Sequence, residues 1–102
     1  MLAWTFRARR KRLDAELLAF GGGFRGRLPD EVLDDALEYV DFNEPPLAVE
    51  ILADQLGEYD VRLTREEWER LPRLHEFWGG DPTSRRVFAA LDPTRESSEP
   101  PP

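Results

Sequence analysis

Between Pro29 and Pro45 the apolar residues Val32, Leu33, Ala36, Leu37 and Val40 recur at i, i+1, i+4, i+5 and i+8. Only an α-helix gathers that spacing onto one face. Pro29 suits the first turn, because the N–H that proline lacks would have no helical partner there. Glu44-Pro45-Pro46 must end the helix, since a residue ahead of proline is displaced from helical backbone. A second helix is predicted from Leu47 to Tyr59, with Ala48, Ile51, Leu52, Gln55, Leu56 and Tyr59 on its inner face. A two-proline link between helices of this length predicts a packed antiparallel or crossed pair.

Signals on either side extend the helical pattern. Thr64-Arg65-Glu66-Glu67 has the form of a capping box, in which a hydroxyl and a carboxylate three residues apart satisfy each other's free backbone donors. The helix it opens has Trp68, Leu71, Leu74, His75 and Trp78 as its buried stripe. Pro72 is expected to kink or divide it, and Gly79-Gly80 to close it. Asp81 and Pro82 then cap a short helix through Leu91 that buries Val87, Phe88 and Leu91. Upstream, Arg9 to Phe20 is predicted helical, with Leu13, Leu17 and Phe20 inward and Gly21-Gly22-Gly23 as its stop. Only Tyr59 to Leu63 alternates as a strand does, and a turn explains it equally well. The expected fold is all-α, a compact single domain of four to five helices. It spans residues 1–94, with 1–8 as a basic arm and the Ser/Glu/Pro-rich 95–102 as a disordered tail. A chain of 102 residues has no room for a second domain.

Charge is distributed unevenly. Residues 1–28 carry a net +5, and 61–102 a net −1. Asp30 to Asp60 contains eleven carboxylates and no Lys or Arg. Asp30 with Asp34, Glu31 with Asp35, Asp34 with Glu38, Glu50 with Asp54, and Asp54 with Glu58 all stand at i, i+4. Such like-charged pairs each cost a helix roughly 0.2–0.5 kcal/mol. Asp30 and Glu31 are explained by the favourable field at a helix N-terminus. Glu38, Asp41 and Glu58 lie toward C-terminal ends, where that field opposes them. Two readings follow: a solvated face, partly neutralised by arginines from the flanking segments, or a docking surface for a strongly basic partner. Tyr39, Phe42 and Tyr59 lie at the margins of the apolar faces, beside the acids.

Several function classes find no support. There is no cysteine, so a disulfide framework, a thiolate zinc site and a cysteine nucleophile are excluded. The single histidine, His75, falls on a buried stripe and reads as a core or cap residue. Gly21 to Gly26 lacks the Lys-Ser/Thr of a phosphate loop. Neither catalysis nor a cofactor or metal is therefore expected. Arg7, Arg9, Arg10, Lys11 and Arg12, with Trp4 and Phe6 nearby, form a basic segment, but a net charge of −7 opposes nucleic-acid binding. No apolar run approaches the roughly 20 residues that cross a bilayer, and Asp14 and Glu16 spoil the N-terminal segment as a signal peptide. A cytoplasmic protein is expected. The pattern fixes no oligomeric state.

The stretch from Ala36 to Asp60, followed by Leu63-Thr64 and a Glu-rich helix, resembles the small helical immunity proteins of the MafI type. The resemblance covers about Leu28 to Leu74. Its most specific part is Leu-Ala-x-Glu-x-Leu-x-x-x-Leu-x-Glu, from Leu47 to Glu58. Members of that family are encoded beside secreted polymorphic toxins of the MafB kind and related contact-dependent inhibition systems, whose toxic tips are often nucleases. The resemblance implies neutralisation by binding. Glu38, Asp41, Glu44, Glu50, Asp54 and Glu58 would face a basic toxin domain, and Tyr39 and Tyr59 would serve as anchors. One of Glu50 and Glu58 could instead be a structural carboxylate. An acidic helical adaptor for some other basic protein needs the same surface, and the neighbouring gene distinguishes the two.

Overall fold

A computed structural model describes residues 2–77, 79–80 and 85–94, with side chains described from residue 11 onward except at 85. Among these residues there are five helices and no strand: α1 (Leu2–Gly22), α2 (Asp30–Asp41), α3 (Pro45–Glu58), α4 (Arg65–Phe77) and α5 (Arg85–Ala89). The fold is all-α, as the spacing predicted. Helix α3 is central and touches each of the other four.

The predicted inner faces are largely the observed ones. Leu33, Ala36, Leu37 and Val40 of α2 are buried, as are Leu17 and Phe20 of α1, Leu71 and His75 of α4, Phe88 of α5, and Leu91 just beyond it. Helix α3 departs from expectation. Its buried residues are Pro45, Ala48, Val49, Leu52, Ala53 and Leu56, while Ile51 and Gln55 are half-buried and Tyr59 is exposed. Periodicity assumed one neighbour; with neighbours on two sides, the buried arc widens to take in the smaller Val49 and Ala53.

Element ends differ in instructive ways. Helix α1 runs from Leu2, so the backbone expected as a loose arm is helical, and it continues through Gly21 and Gly22. No breaker stands ahead of Arg9, and Gly21 packs where a larger residue would collide: a Cβ there would lie 2.5 Å from Leu37 Cδ2. Helix α3 starts at Pro45 rather than Leu47, because prolines are welcome in the first turn. Pro72 lies inside α4 without dividing it. The last helix spans only Arg85–Ala89. The predicted roles of Trp78, of the Asp81-Pro82 cap and of the 95–102 tail fall outside the described residues.

Helices α2, α3 and α4 share one ending. Asn43, Asp60 and Gly79 adopt φ of 63°, 49° and 77°. Each is followed by a residue whose N–H reaches five residues back: Glu44 to Tyr39 at 2.8 Å, Val61 to Leu56 at 2.9 Å, Gly80 to His75 at 2.9 Å. This is the Schellman closure, which satisfies otherwise orphaned carbonyls and turns the chain sharply. At the start of α4 the capping box forms as predicted. Glu67 N–H donates to Thr64 Oγ1 at 3.1 Å and Thr64 N–H to Glu67 Oε1 at 2.9 Å.

Candidate functional site: an acid-walled groove between α1 and α2

Helix α2 runs back along α1. Arg25 lies beside Asp30 and Asp34, Gly21 beside Leu37, and Leu18 shares a groove with Asp41. Close approach at Gly21 and the missing side chain at Gly22 leave an open groove of about 530 Å³. Leu18, Gly22 and Leu37 supply its apolar surface, and Asp34, Asp35, Glu38 and Asp41 line it with carboxylates. Among the described residues no set of three His, Asp or Glu side chains converges as metal ligands do. The groove thus presents separate negative charges over an apolar floor.

Arg25 closes one end. Its guanidinium donates to Asp30 Oδ1 at 3.0 Å and to Asp34 Oδ1 at 2.8 Å. The hydrogen bond to Asp34, then that to Asp30, raises the Arg25 pKa above its usual value. These partners are exposed, so the pairing is screened by salt. It nonetheless neutralises the first like-charged pair of α2, which the fixed-sign segment could not do for itself. Glu38 and Asp41, further along the same groove, are exposed and have no ion-pair partner among the described residues.

The other predicted binding residues separate into distinct environments. Glu44, Asp54 and Glu58 are exposed and unpaired among the described residues, but none lines the groove. Glu50 is different: its side chain is about one-third exposed and its Oε1 lies 3.5 Å from Nε2 of His75, on α4. The wider buried arc of α3 carries Glu50 inward, against α4. Tyr39 is half-buried against the core, and Tyr59 is 48% exposed. The expected single acidic face is therefore divided between the groove and the outer side of α3.

Two features were assigned other roles or given little weight by sequence. Asp34 and Asp35 entered the sequence reading only as members of like-charged pairs, yet they line the groove. Phe42 is 61% exposed, more than any other large apolar side chain described. Its position just past the last apolar residue of α2 was the available signal. A second groove of about 420 Å³, lined by Trp68, Glu69, Pro72, Arg73 and Glu76, mixes signs of charge and creates no comparable field.

Fold and groove together define a small all-α protein with a mainly acidic, apolar-floored groove. No family model, no curated protein and no solved structure matches the chain.

Proposed function

We propose that this chain is an immunity protein that binds a secreted polymorphic toxin's basic toxic domain, of nuclease type, in the cytoplasm and covers its phosphate-binding surface. It acts by occupation, without chemistry. The observation that carries this reading is the run of Asp34, Asp35, Glu38 and Asp41 along one groove, with Glu38 and Asp41 uncompensated among the described residues. A nuclease must hold phosphates with Lys and Arg. A surface of opposite sign steers it into encounter and selects it over neutral proteins. The remaining like-charged pairs of α2 and α3 cost roughly 1–2 kcal/mol of helix stability. That is appreciable beside the 5–15 kcal/mol typical of a whole domain. The MafI-like pattern from Leu47 to Glu58 supports the same reading.

The test is co-expression with the C-terminal domain of the large secreted protein encoded by the adjacent gene. Growth is expected to be rescued. Association of the purified pair is expected to slow at least tenfold as ionic strength rises to about 0.15 M, where screening acts beyond about 8 Å. Unrelieved toxicity, or the lack of any such neighbour, would overturn the proposal.

A further inference from the structure

Phe42 stands at the C-terminal end of α2 with φ −82° and ψ 10°, and its N–H donates to Glu38 O at 3.2 Å. The next two residues lock the turn behind it. Asn43 N–H donates to Val40 O at 3.1 Å, Glu44 N–H to Tyr39 O at 2.8 Å, and Asn43 holds φ at 63°. The Phe42 ring meets Tyr39 edge to face, with centroids 6.0 Å apart and planes at 82°. Tyr39 itself packs against the core. The backbone under the ring is thus held by hydrogen bonds and the ring meets one neighbour, while most of its surface remains in water.

Three carboxylates stand close to it along the chain. Phe42 follows Glu38 by four residues, so the two share a helix face. Asp41 precedes it at the groove's edge, and Glu44 lies two residues on. All three carboxylates are exposed, and none forms an ion pair among the described residues. A single exposed aromatic is ordinary. One braced edge-on by a neighbouring ring and flanked by carboxylates has the form of a binding anchor: the contact with Tyr39 favours one ring placement, and a polar rim shields the docked contact from water.

We infer that Phe42 is the apolar anchor of this surface and seats in an apolar pocket of a basic protein whose rim is Lys or Arg. The inference rests on the immunity reading above and adds to it a division of labour. Glu38 and Asp41 set the rate of encounter, and Phe42 sets the lifetime of the complex. Tyr39, expected as an anchor in its own right, becomes the residue that positions Phe42.

The experiment immobilises the catalytically inactivated C-terminal toxin domain encoded by the adjacent gene and follows binding of wild type, Phe42→Ala, Phe42→Leu and the double variant Glu38→Lys/Asp41→Lys. Thermal melts of each establish folding. Phe42→Ala is expected to dissociate about 30-fold faster, as a hot-spot truncation does, with association changed less than about twofold. Phe42→Leu, which keeps apolar bulk, is expected to recover most of that loss. The double variant is expected to associate slowly and to lose its salt dependence. If wild type binds and folded Phe42→Ala dissociates at the wild-type rate, the anchor is overturned while the immunity reading stands. If wild type itself does not bind, the immunity reading fails first.

Discussion

Glu50 Oε1 lies 3.5 Å from Nε2 of His75, across the α3–α4 interface, and the His75 side chain is 2% exposed. The contact removes Glu50 from the stripe it forms in sequence with Asp54 and Glu58. Those two remain on the outer side of α3, whereas Glu50 touches a ring packed edge-on against Phe88 at 5.1 Å.

Glu50→Lys is therefore expected to destabilise the fold by about 1–3 kcal/mol, because it sets a cation against a buried imidazole in place of a carboxylate. Asp54→Lys with Glu58→Lys is expected to leave stability equal or slightly higher, since an i, i+4 repulsion is relieved. Urea unfolding of both variants near neutral pH checks the contrast. Equal midpoints for wild type and Glu50→Lys would show that the His75 contact contributes nothing.

The Thr64 capping box is tied to the α1–α2 loop through Glu67. Arg27 Nη1 donates to Glu67 Oε1 at 3.2 Å and Nη2 donates to Glu67 Oε2 and to Gly23 O. The Arg27 hydrogen bond, followed by the Thr64 N–H, holds the Glu67 carboxyl below its ordinary value of 4.5, against an opposing effect of burial. A carboxylate depressed on folding stabilises fully above its unfolded value, and that contribution is lost as pH falls through the folded one. Glu67→Gln is expected to cost about 1 kcal/mol at neutral pH. The gap from wild type should close as the pH falls below 4.5 and through the depressed Glu67 value. A penalty independent of pH would mean that shape, not charge, is what the site requires.

What the sequence disclosed was local. The residues of the α2 face, and likewise those of the Thr64–Glu67 box, lie within a few positions of their own partners, where periodicity and capping chemistry operate. Arg25 with Asp34, Arg27 with Glu67 and Glu50 with His75 join residues nine to forty positions apart. No pattern in the chain announces which arginine will meet which acid. The closures at Asn43 and Asp60 were hidden for another reason: each places a residue other than glycine in the left-handed region, so the usual glycine signal is absent. The groove itself was half legible. Its charges were evident, but its location depended on Gly21 and Gly22 acting as helix interior and not as a stop.

Gly80 is confined by the same histidine. A Cβ added there would lie 2.2–2.4 Å from three atoms of the His75 ring, whose further retreat is blocked by Phe88 and Glu50. Gly80→Ala is expected to cost about 1–3 kcal/mol through overpacking. Gly22→Ala, where an added Cβ meets nothing within 4 Å, is expected to stabilise α1 by roughly 0.5–1 kcal/mol. Thermal melts of the two single variants should move in opposite directions. A tolerated Gly80→Ala would show that the His75 ring is free to shift.

The division of the acids between the groove and α3 separates two docking geometries, and paired charge reversals decide between them. Glu38→Lys/Asp41→Lys places two cations at the groove, where Arg25 already stands beside Asp34. Asp54→Lys/Glu58→Lys reverses the outer side of α3 and leaves the groove intact. The first pair of substitutions relieves the i, i+4 repulsion of Asp34 with Glu38, and the second that of Glu50 with Asp54 while the two new lysines repel as the two acids did, so neither is expected to lower the melting temperature. Loss of protection is then attributable to the surface and not to unfolding. With docking at the groove, the α2 reversal is expected to abolish protection and to slow association by at least tenfold at low salt, while the α3 reversal changes the rate by only a few-fold through long-range steering. The opposite ranking would move the interface to α3 and leave the groove as a solvated feature of the α1–α2 packing.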